Sequence, residues 1–139
     1  MTATIPDVWP SEFATATQAS PLTILRQQAY ALGQKTRNLV VGEVESQTEP
    51  GDKGMKSFLH TFSISASLLG FQQVVLLARH AIKQYPVSVA RMNANGEHQK
   101  TTLAKDSDEF INFLREELNS PDVLDLIGSL VTQCRDVDD

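Results

Sequence analysis

The strongest constraint on the fold is the alternation of side chains between Ser57 and Leu68. From Phe58 onward, every second residue is apolar or a histidine, and most residues between them are serine or threonine. Successive side chains of a β-strand point to opposite faces, so this pattern predicts a strand with one apolar face and one hydroxyl face. The apolar face has to be covered, and helices elsewhere in the chain have to cover it.

Short connections join this strand to three other segments with strand features. The four predicted strands are Asn38–Ser46, Ser57–Leu68, Gln73–His80 and Val87–Met92. Residues 74–83 also allow a helix, but their branched side chains and short length favour a strand. Gly42, within the first strand, indicates a bulge or a close backbone approach. Residues 93–105 are predicted to be a polar connection with a turn at Asn95 and Gly96.

Helix start signals occur at three places. They are the Ser20-Pro21 pair, Asp106 with Glu109 three positions on, and the Ser120-Pro121 pair. Because a parallel sheet would need a helix between each pair of strands, the short connections predict an antiparallel one. We therefore predict an α+β fold, a four-stranded antiparallel meander with helices on one face, in the order α-β-β-β-β-α-α. The domain spans residues 20–134, between a flexible arm (1–19) and an acidic tail (135–139).

The net charge of −5 argues against a general nucleic-acid binder, which is usually basic. This charge is uneven along the chain. Residues 1–105 hold ten Lys or Arg and seven Asp or Glu. Residues 106–139 hold two Lys or Arg and ten Asp or Glu. The acidic C-terminal third predicts a solvated helix face.

One cysteine, Cys134, excludes an internal disulfide, and its helical spacing from Ile127 and Leu130 predicts a core position. The N-terminus shows no basic start followed by an apolar block, as a secretory signal would. The most apolar run, residues 74–78, is too short to span a bilayer as a helix. We expect a cytoplasmic protein without a cofactor.

Motifs for nucleophilic catalysis and for nucleotide binding are lacking. Ser63, Ser65 and Ser67 lie within a strand rather than at a strand-to-helix elbow. Residues 50–54 contain two glycines and a lysine but not the Gly-Lys-Ser/Thr ending of a phosphate-binding loop, so they predict a hairpin loop. No catalytic residue is assigned.

Two histidines, His60 and His80, are expected on the helix-facing side of adjacent strands and near one another. They allow a metal pair or an acid–base pair, with Glu43 or Glu45 as the carboxylate. A zinc site needs three or four converging ligands, and the sequence has no close-spaced pair such as His-x-His. The pattern favours hydrogen-bonded core histidines, and no metal is predicted.

Two arginines, Arg79 and Arg91, lie near the ends of adjacent predicted strands. Together with Lys83 they allow a small anion site. Cations that simply remain in solvent are the commoner explanation.

The hydroxyl face of the sheet is predicted to carry three aliphatic side chains, those of Leu59, Val75 and Leu77. An exposed apolar patch of this kind often marks a surface for a partner or for self-association. Trp9 and Phe13 of the N-terminal arm are predicted either to bind a partner or to pack on the domain, where they would cover this patch.

Two functions follow from these features. The first is a non-enzymatic interaction or regulatory module, immunity-like or adaptor-like, that binds a macromolecular partner or a second copy through its sheet face, arm or acidic helices. The second is a small-molecule or anion binder, with or without weak enzymatic activity, with a cleft between sheet and helices lined by His60, His80, Arg79 and Arg91. A closed interface favours the first function, and an open polar cavity that reaches both histidines favours the second.

Two segments resemble small bacterial proteins of unassigned activity. The first is Leu25-x-x-Gln28-Ala29-x-x-Leu32-Gly33-x-Lys35-Thr36-x-Asn38-Leu39-Val40, and the second is His80 followed by Tyr85-Pro86-Val87. The resemblance covers residues 20–134 and rests on helix-to-strand and strand-entry positions. It implies a bacterial, cytosolic, single-domain protein and no particular activity, ligand or site residue.

Overall fold

The computed structural model describes residues 4–15, 17–93 and 98–138. Its described part contains one five-stranded antiparallel sheet in meander order, preceded by one helix and followed by two. The strands are β1 (Val41–Pro50), β2 (Lys56–Ala66), β3 (Phe71–His80), β4 (Val87–Met92) and β5 (His98–Ala104). The helices are α1 (Pro21–Lys35), α2 (Ser107–Leu118) and α3 (Pro121–Asp138).

The α+β class and the antiparallel sheet are confirmed, but the prediction of four strands is wrong. The fifth strand, β5, lies within the segment interpreted as a polar connection, and the order becomes α-β-β-β-β-β-α-α. β5 pairs only with β4 and is an edge strand of mostly polar sequence, so it lacks the alternation that marks a strand with a buried face. The predicted turn at Asn95 and Gly96 lies outside the described residues.

The strand prediction for residues 73–80 is confirmed, and the alternative helix over 74–83 is wrong. β3 is a central strand that pairs with β2 on one side and with β4 on the other. α3 continues through Asp138, so residues 135–138 of the predicted acidic tail belong to this helix.

The helix start signals act as predicted. Ser20 Oγ accepts a hydrogen bond from the Thr23 amide at 3.1 Å, and Asp106 Oδ1 accepts one from the Glu109 amide at 2.9 Å. Glu109 reaches back to accept from the Lys105 amide at 2.9 Å. These contacts satisfy amides that have no partner within the helix.

Gly42 lies where α1 crosses β1. A Cβ atom at this position would be 2.6 Å from Ala29 Cα. The glycine therefore permits a close backbone approach, one of its two predicted roles, while the register of β1 on β2 is continuous through it.

A bulge lies in β3 instead. Phe62 pairs with Leu76 and Ser63 pairs with Val74, which leaves Val75 as an extra residue. A bulge reverses the alternation beyond it, so Val74 falls on the face of Ser63 and Val75 joins Leu76 in the core.

A single apolar cluster joins one face of the sheet to all three helices. Its largest fully buried members are Leu25, Val40, Phe62, Ile64, Leu76, Val87, Val89, Phe110 and Cys134. We call this side of the sheet the helix-covered face and the other the open face. Leu59 and Ala90 are buried on the open face and do not belong to the cluster. In the described part of the chain, no helix is long and apolar enough to cross a membrane.

Candidate functional site

The open face carries only two of its three predicted aliphatic residues. Leu59 pairs with Arg79, and Leu77 pairs with Thr61 and Ala90, so all of these share that face. Placing Val75 there was wrong, because the bulge turns its side chain into the core. Leu77 remains half-buried.

Two polar side-chain bridges cross β2 on the open face. Gln72 on β3 donates to Glu43 on β1 at 2.8 Å, and Arg79 on β3 pairs with Glu49 on β1. Since β2 lies between β1 and β3, these long side chains lie over the small or apolar residues of the middle strand. Leu59 is consequently only 8% exposed without any helix above it.

Sequence reasoning missed the most exposed apolar residue of this face, Leu103 on β5. It is 61% exposed and lies opposite Ser88, near Ala90 and Leu77. Because the residues around Leu103 are mostly polar, the sequence did not indicate a strand there. The apolar strip of the open face therefore runs along Leu77, Ala90 and Leu103.

The arm does not bury its aromatic side chains on the open face. Trp9 and Phe13 contact each other, with ring centroids 5.7 Å apart, and are 69% and 66% exposed. The base of the arm is attached to the domain, because Tyr85 Oη donates to the Ala19 carbonyl at 2.7 Å and the Ser107 amide donates to Gln18 at 2.8 Å.

The two histidines predicted to lie near each other converge on the helix-covered face. His60 Nε2 and His80 Nε2 are 2.8 Å apart, and the rings lie 4.9 Å apart between centroids. His60 is only 3% exposed, while His80 is half-buried and stacks on Phe58. Burial, reinforced by His80 and Arg26, lowers the pKa of His60 to about 4.

The outer nitrogen of each ring also has an oxygen partner. His60 Nδ1 lies 2.7 Å from Ser46 Oγ, and His80 Nδ1 lies 2.7 Å from the Ala81 carbonyl. A carbonyl only accepts, so His80 Nδ1 carries its proton and, in neutral His80, Nε2 accepts from His60. Neutral His60 then accepts from the Ser46 hydroxyl. Ser46 was missed, although it is the residue directly opposite His60 in the hairpin.

The carboxylates proposed as partners of the histidines point away from them. Glu43 and Glu45 pair with Ser63 and Thr61 and therefore lie on the open face. Among the described residues, no group of three or more His, Cys, Asp or Glu side chains is arranged to hold a metal ion.

The two arginines also lie on opposite faces. Arg79 is on the open face with Glu49, whereas Arg91 pairs with Leu76 and is on the helix-covered face. Arg91 Nε lies 2.9 Å from Glu117. The structure does not bring Arg79 and Arg91 together as the predicted anion site requires.

An open cleft lies between the β3–β4 end of the sheet and the turn from α2 to α3. Its volume is about 440 Å³. The lining residues are Gln73, Val75, Leu76, Arg91, Met92, Asn93, Glu117, Leu118, Asp122, Val123, Asp125 and Leu126. The cleft reaches Arg91 but neither histidine, so the ligand-binding residues predicted as one group are separated.

No protein-family model, curated protein or solved structure shows significant similarity to this chain. The resemblance to small bacterial proteins therefore stays a prediction, and the site has to be interpreted from its own chemistry.

Proposed function

We propose that the protein is a non-enzymatic interaction module that binds a basic, partly apolar segment of a protein partner. The cleft between the sheet and the α2–α3 pair is the proposed binding site. The observation that carries this proposal is the combination of an apolar floor with an excess of carboxylates at the rim. Pockets of this size with a few convergent polar groups are common binding sites.

The floor of the cleft can accept an aliphatic stem. Val75 and Leu76 from the bulged strand and Val123 from α3 supply apolar surface. The bulge contributes directly, because it directs two consecutive side chains of β3 toward the helices. A lysine or arginine side chain has such a stem and ends in a charged head.

The rim of the cleft favours a cation over an anion. Arg91 is the one basic residue among the described residues that line it, and Glu117 and Asp122 lie 2.9 and 3.5 Å from its guanidinium. Asp125 adds a third carboxylate, and Asp122 is largely exposed. Because carboxylates outnumber cations here, an incoming ammonium or guanidinium group is attracted and an anion is repelled.

Charge reversal at the rim tests this proposal. The variant carries Asp122→Lys and Asp125→Lys, both at exposed positions, and the matched control carries Asp108→Lys and Asp136→Lys on α2 and α3 outside the cleft. Partners are captured from the source cell and identified by mass spectrometry, and their affinity is then measured with purified components. We expect the rim variant to lose a partner that the control retains; equal capture by both would refute the cleft as the binding site.

A second candidate function is self-association through the open face. It is favoured by the exposed Leu103, which extends the apolar strip of Leu77 and Ala90 to the sheet edge. Light scattering of the wild type and of Leu103→Glu tests it, with Leu124→Glu on α3 as the control. Self-association is supported if the wild type has the mass of a dimer and only Leu103→Glu lowers that mass. A monomeric wild type rules it out.

A further inference from the structure

We propose that His60 and His80 form a two-histidine chelating site for a divalent transition metal ion, selective for Cu²⁺ over Ni²⁺ and Zn²⁺. This inference is independent of the partner-binding cleft, which neither histidine lines. It adds a metal ion, as a second class of ligand, to the proposed protein partner.

The separation of the two nitrogens sets the geometry of such a site. His60 Nε2 and His80 Nε2 are 2.8 Å apart. Two nitrogens bound at about 2.0 Å are about 2.8 Å apart when their bonds meet at a right angle, and about 3.3 Å apart in a tetrahedron. The observed distance is close to the right-angle arrangement of tetragonal Cu²⁺ and Ni²⁺, and Cu²⁺ binds nitrogen ligands most tightly.

The outer nitrogen of each ring has an oxygen partner of the kind that orients metal-bound histidines. Such histidines usually hydrogen-bond through their second nitrogen to an oxygen atom, which orients the ring toward the metal. Ala81 O holds His80 Nδ1 and Ser46 Oγ holds His60 Nδ1, each at 2.7 Å. The two rings are therefore oriented by contacts outside the pair, and their Nε2 atoms lie next to each other.

The Ser46 hydroxyl can hydrogen-bond to His60 Nδ1 both with and without a bound metal ion, because a hydroxyl can donate and accept. Without metal, the hydroxyl donates to His60 Nδ1, and His60 Nε2 donates to His80. With metal, the same hydroxyl accepts from a protonated Nδ1, so that both Nε2 lone pairs face the ion. The proton of His60 moves from Nε2 to Nδ1 by exchange with water, and the charge of the pair is unchanged.

Access is from the His80 side, since His60 is buried. His80 lines an open pocket of about 640 Å³ together with Lys53, Lys56 and Arg79. In the described part of the chain no third metal-ligating side chain joins the pair, so water completes the coordination. The neighbouring cations oppose a divalent ion, and binding is expected to be weaker than at a closed four-ligand site.

The experiment titrates CuCl₂, NiCl₂ and ZnCl₂ separately into tag-free, metal-stripped protein by calorimetry. Electron paramagnetic resonance of the Cu²⁺ complex then counts the coordinating nitrogens. We expect one Cu²⁺ per chain with two imidazole nitrogens, and weaker binding of Ni²⁺ and Zn²⁺. His80→Gln, at a half-buried position, should abolish binding, whereas Ser46→Ala should weaken it about tenfold through loss of the orienting contact.

The control is His98→Gln, which removes the third histidine of the chain. It should leave Cu²⁺ binding unchanged, and thermal unfolding curves check that each variant is folded. The proposal is overturned if the wild type binds no Cu²⁺, if His80→Gln binds as tightly as the wild type, or if His98→Gln removes the binding.

Discussion

The two faces of the sheet bury their middle residues by different means. On the helix-covered face, Phe62 is buried within an apolar cluster supplied by three helices. On the open face, Leu59 of the same strand is nearly as well buried without a helix above it, and it lies beside the Arg79–Glu49 pair. Low exposure therefore does not by itself identify a core residue.

The two kinds of burial contribute differently to the free energy of unfolding. Burial in a packed apolar cluster removes surface from water and gains close contacts, and it is costly to undo. A surface ion pair contributes little, because both charges remain in solvent and their long side chains lose conformational freedom. The stability of the fold is thus expected to depend mainly on the helix-covered face, and substitutions on the open face are expected to cost less.

The largest effect is expected for Phe62→Ala. Truncating this fully buried ring leaves a cavity, and the free energy of unfolding should fall by about 3–5 kcal/mol. Urea denaturation measures the loss, with Thr61→Ala on the open face as the control. A loss of less than about 1 kcal/mol at Phe62 would contradict the assignment of the core to this face.

Acid is expected to produce the next largest effect, through His60. Its folded pKa of about 4 lies below the ordinary 6.5, so the folded state favours the neutral ring. This contribution is fully present above pH 6.5 and is lost as the pH falls toward 4, which lowers stability by up to about 3 kcal/mol. The groups that act on the ring are His80 on β3, Arg26 on α1 and Ser46 on β1.

Denaturation of metal-stripped protein at several pH values measures this effect. His60→Gln should flatten the curve between pH 6.5 and 4, although it lowers stability at every pH. An equal pH dependence in the wild type and the variant would show that other groups cause the loss.

A smaller loss is expected for Gly42→Ala on the helix-covered face. The added methyl would be 2.6 Å from Ala29 Cα, so α1 has to move, at a cost of about 1–3 kcal/mol. Gly128→Ala on α3 is the matched control, since its Cβ meets nothing within 4 Å and should stabilise the helix by about 0.5–1 kcal/mol. A lower melting temperature for Gly42→Ala and a higher one for Gly128→Ala support the close approach. An unchanged melting temperature for Gly42→Ala contradicts it.

The smallest effect is expected for Arg79→Ala on the open face. Removing the bridge should lower stability by less than about 1 kcal/mol while it exposes Leu59. Binding of a hydrophobic dye should increase, and Arg79→Met, which retains a long apolar side chain, should restore the low level. A loss of more than about 2 kcal/mol would mean that the bridge is a major stabilising contact, and the contrast between the faces would fail.

Local signals were enough to predict several elements from the sequence. The caps at Ser20 and Asp106 lie within three or four residues of the amides they satisfy, so neighbouring residues specify them. The alternation of β2 is likewise local. It predicted the convergence of His60 and His80, because both histidines lie on the same face of adjacent strands.

Other features depend on partners that are distant in the chain. Val75 changes face because β3 pairs with β2 through a bulge. No residue type at that position indicates a bulge. β5 was missed because an edge strand of polar sequence is recognised only by its pairing with β4. The cleft depends on where the α2–α3 turn lies against the sheet, which local pattern does not specify.

The alternation between Ser57 and Leu68 determined by itself that one sheet face would be apolar and would pack against helices. It could not determine how the hydroxyl face would be covered, since that depends on the Glu43–Gln72 and Glu49–Arg79 bridges. Alternation is a property of a single strand, so consecutive residues are enough to recognise it. The bridges, the bulge and the cleft arise between strands and helices, and only the tertiary structure brings those residues together.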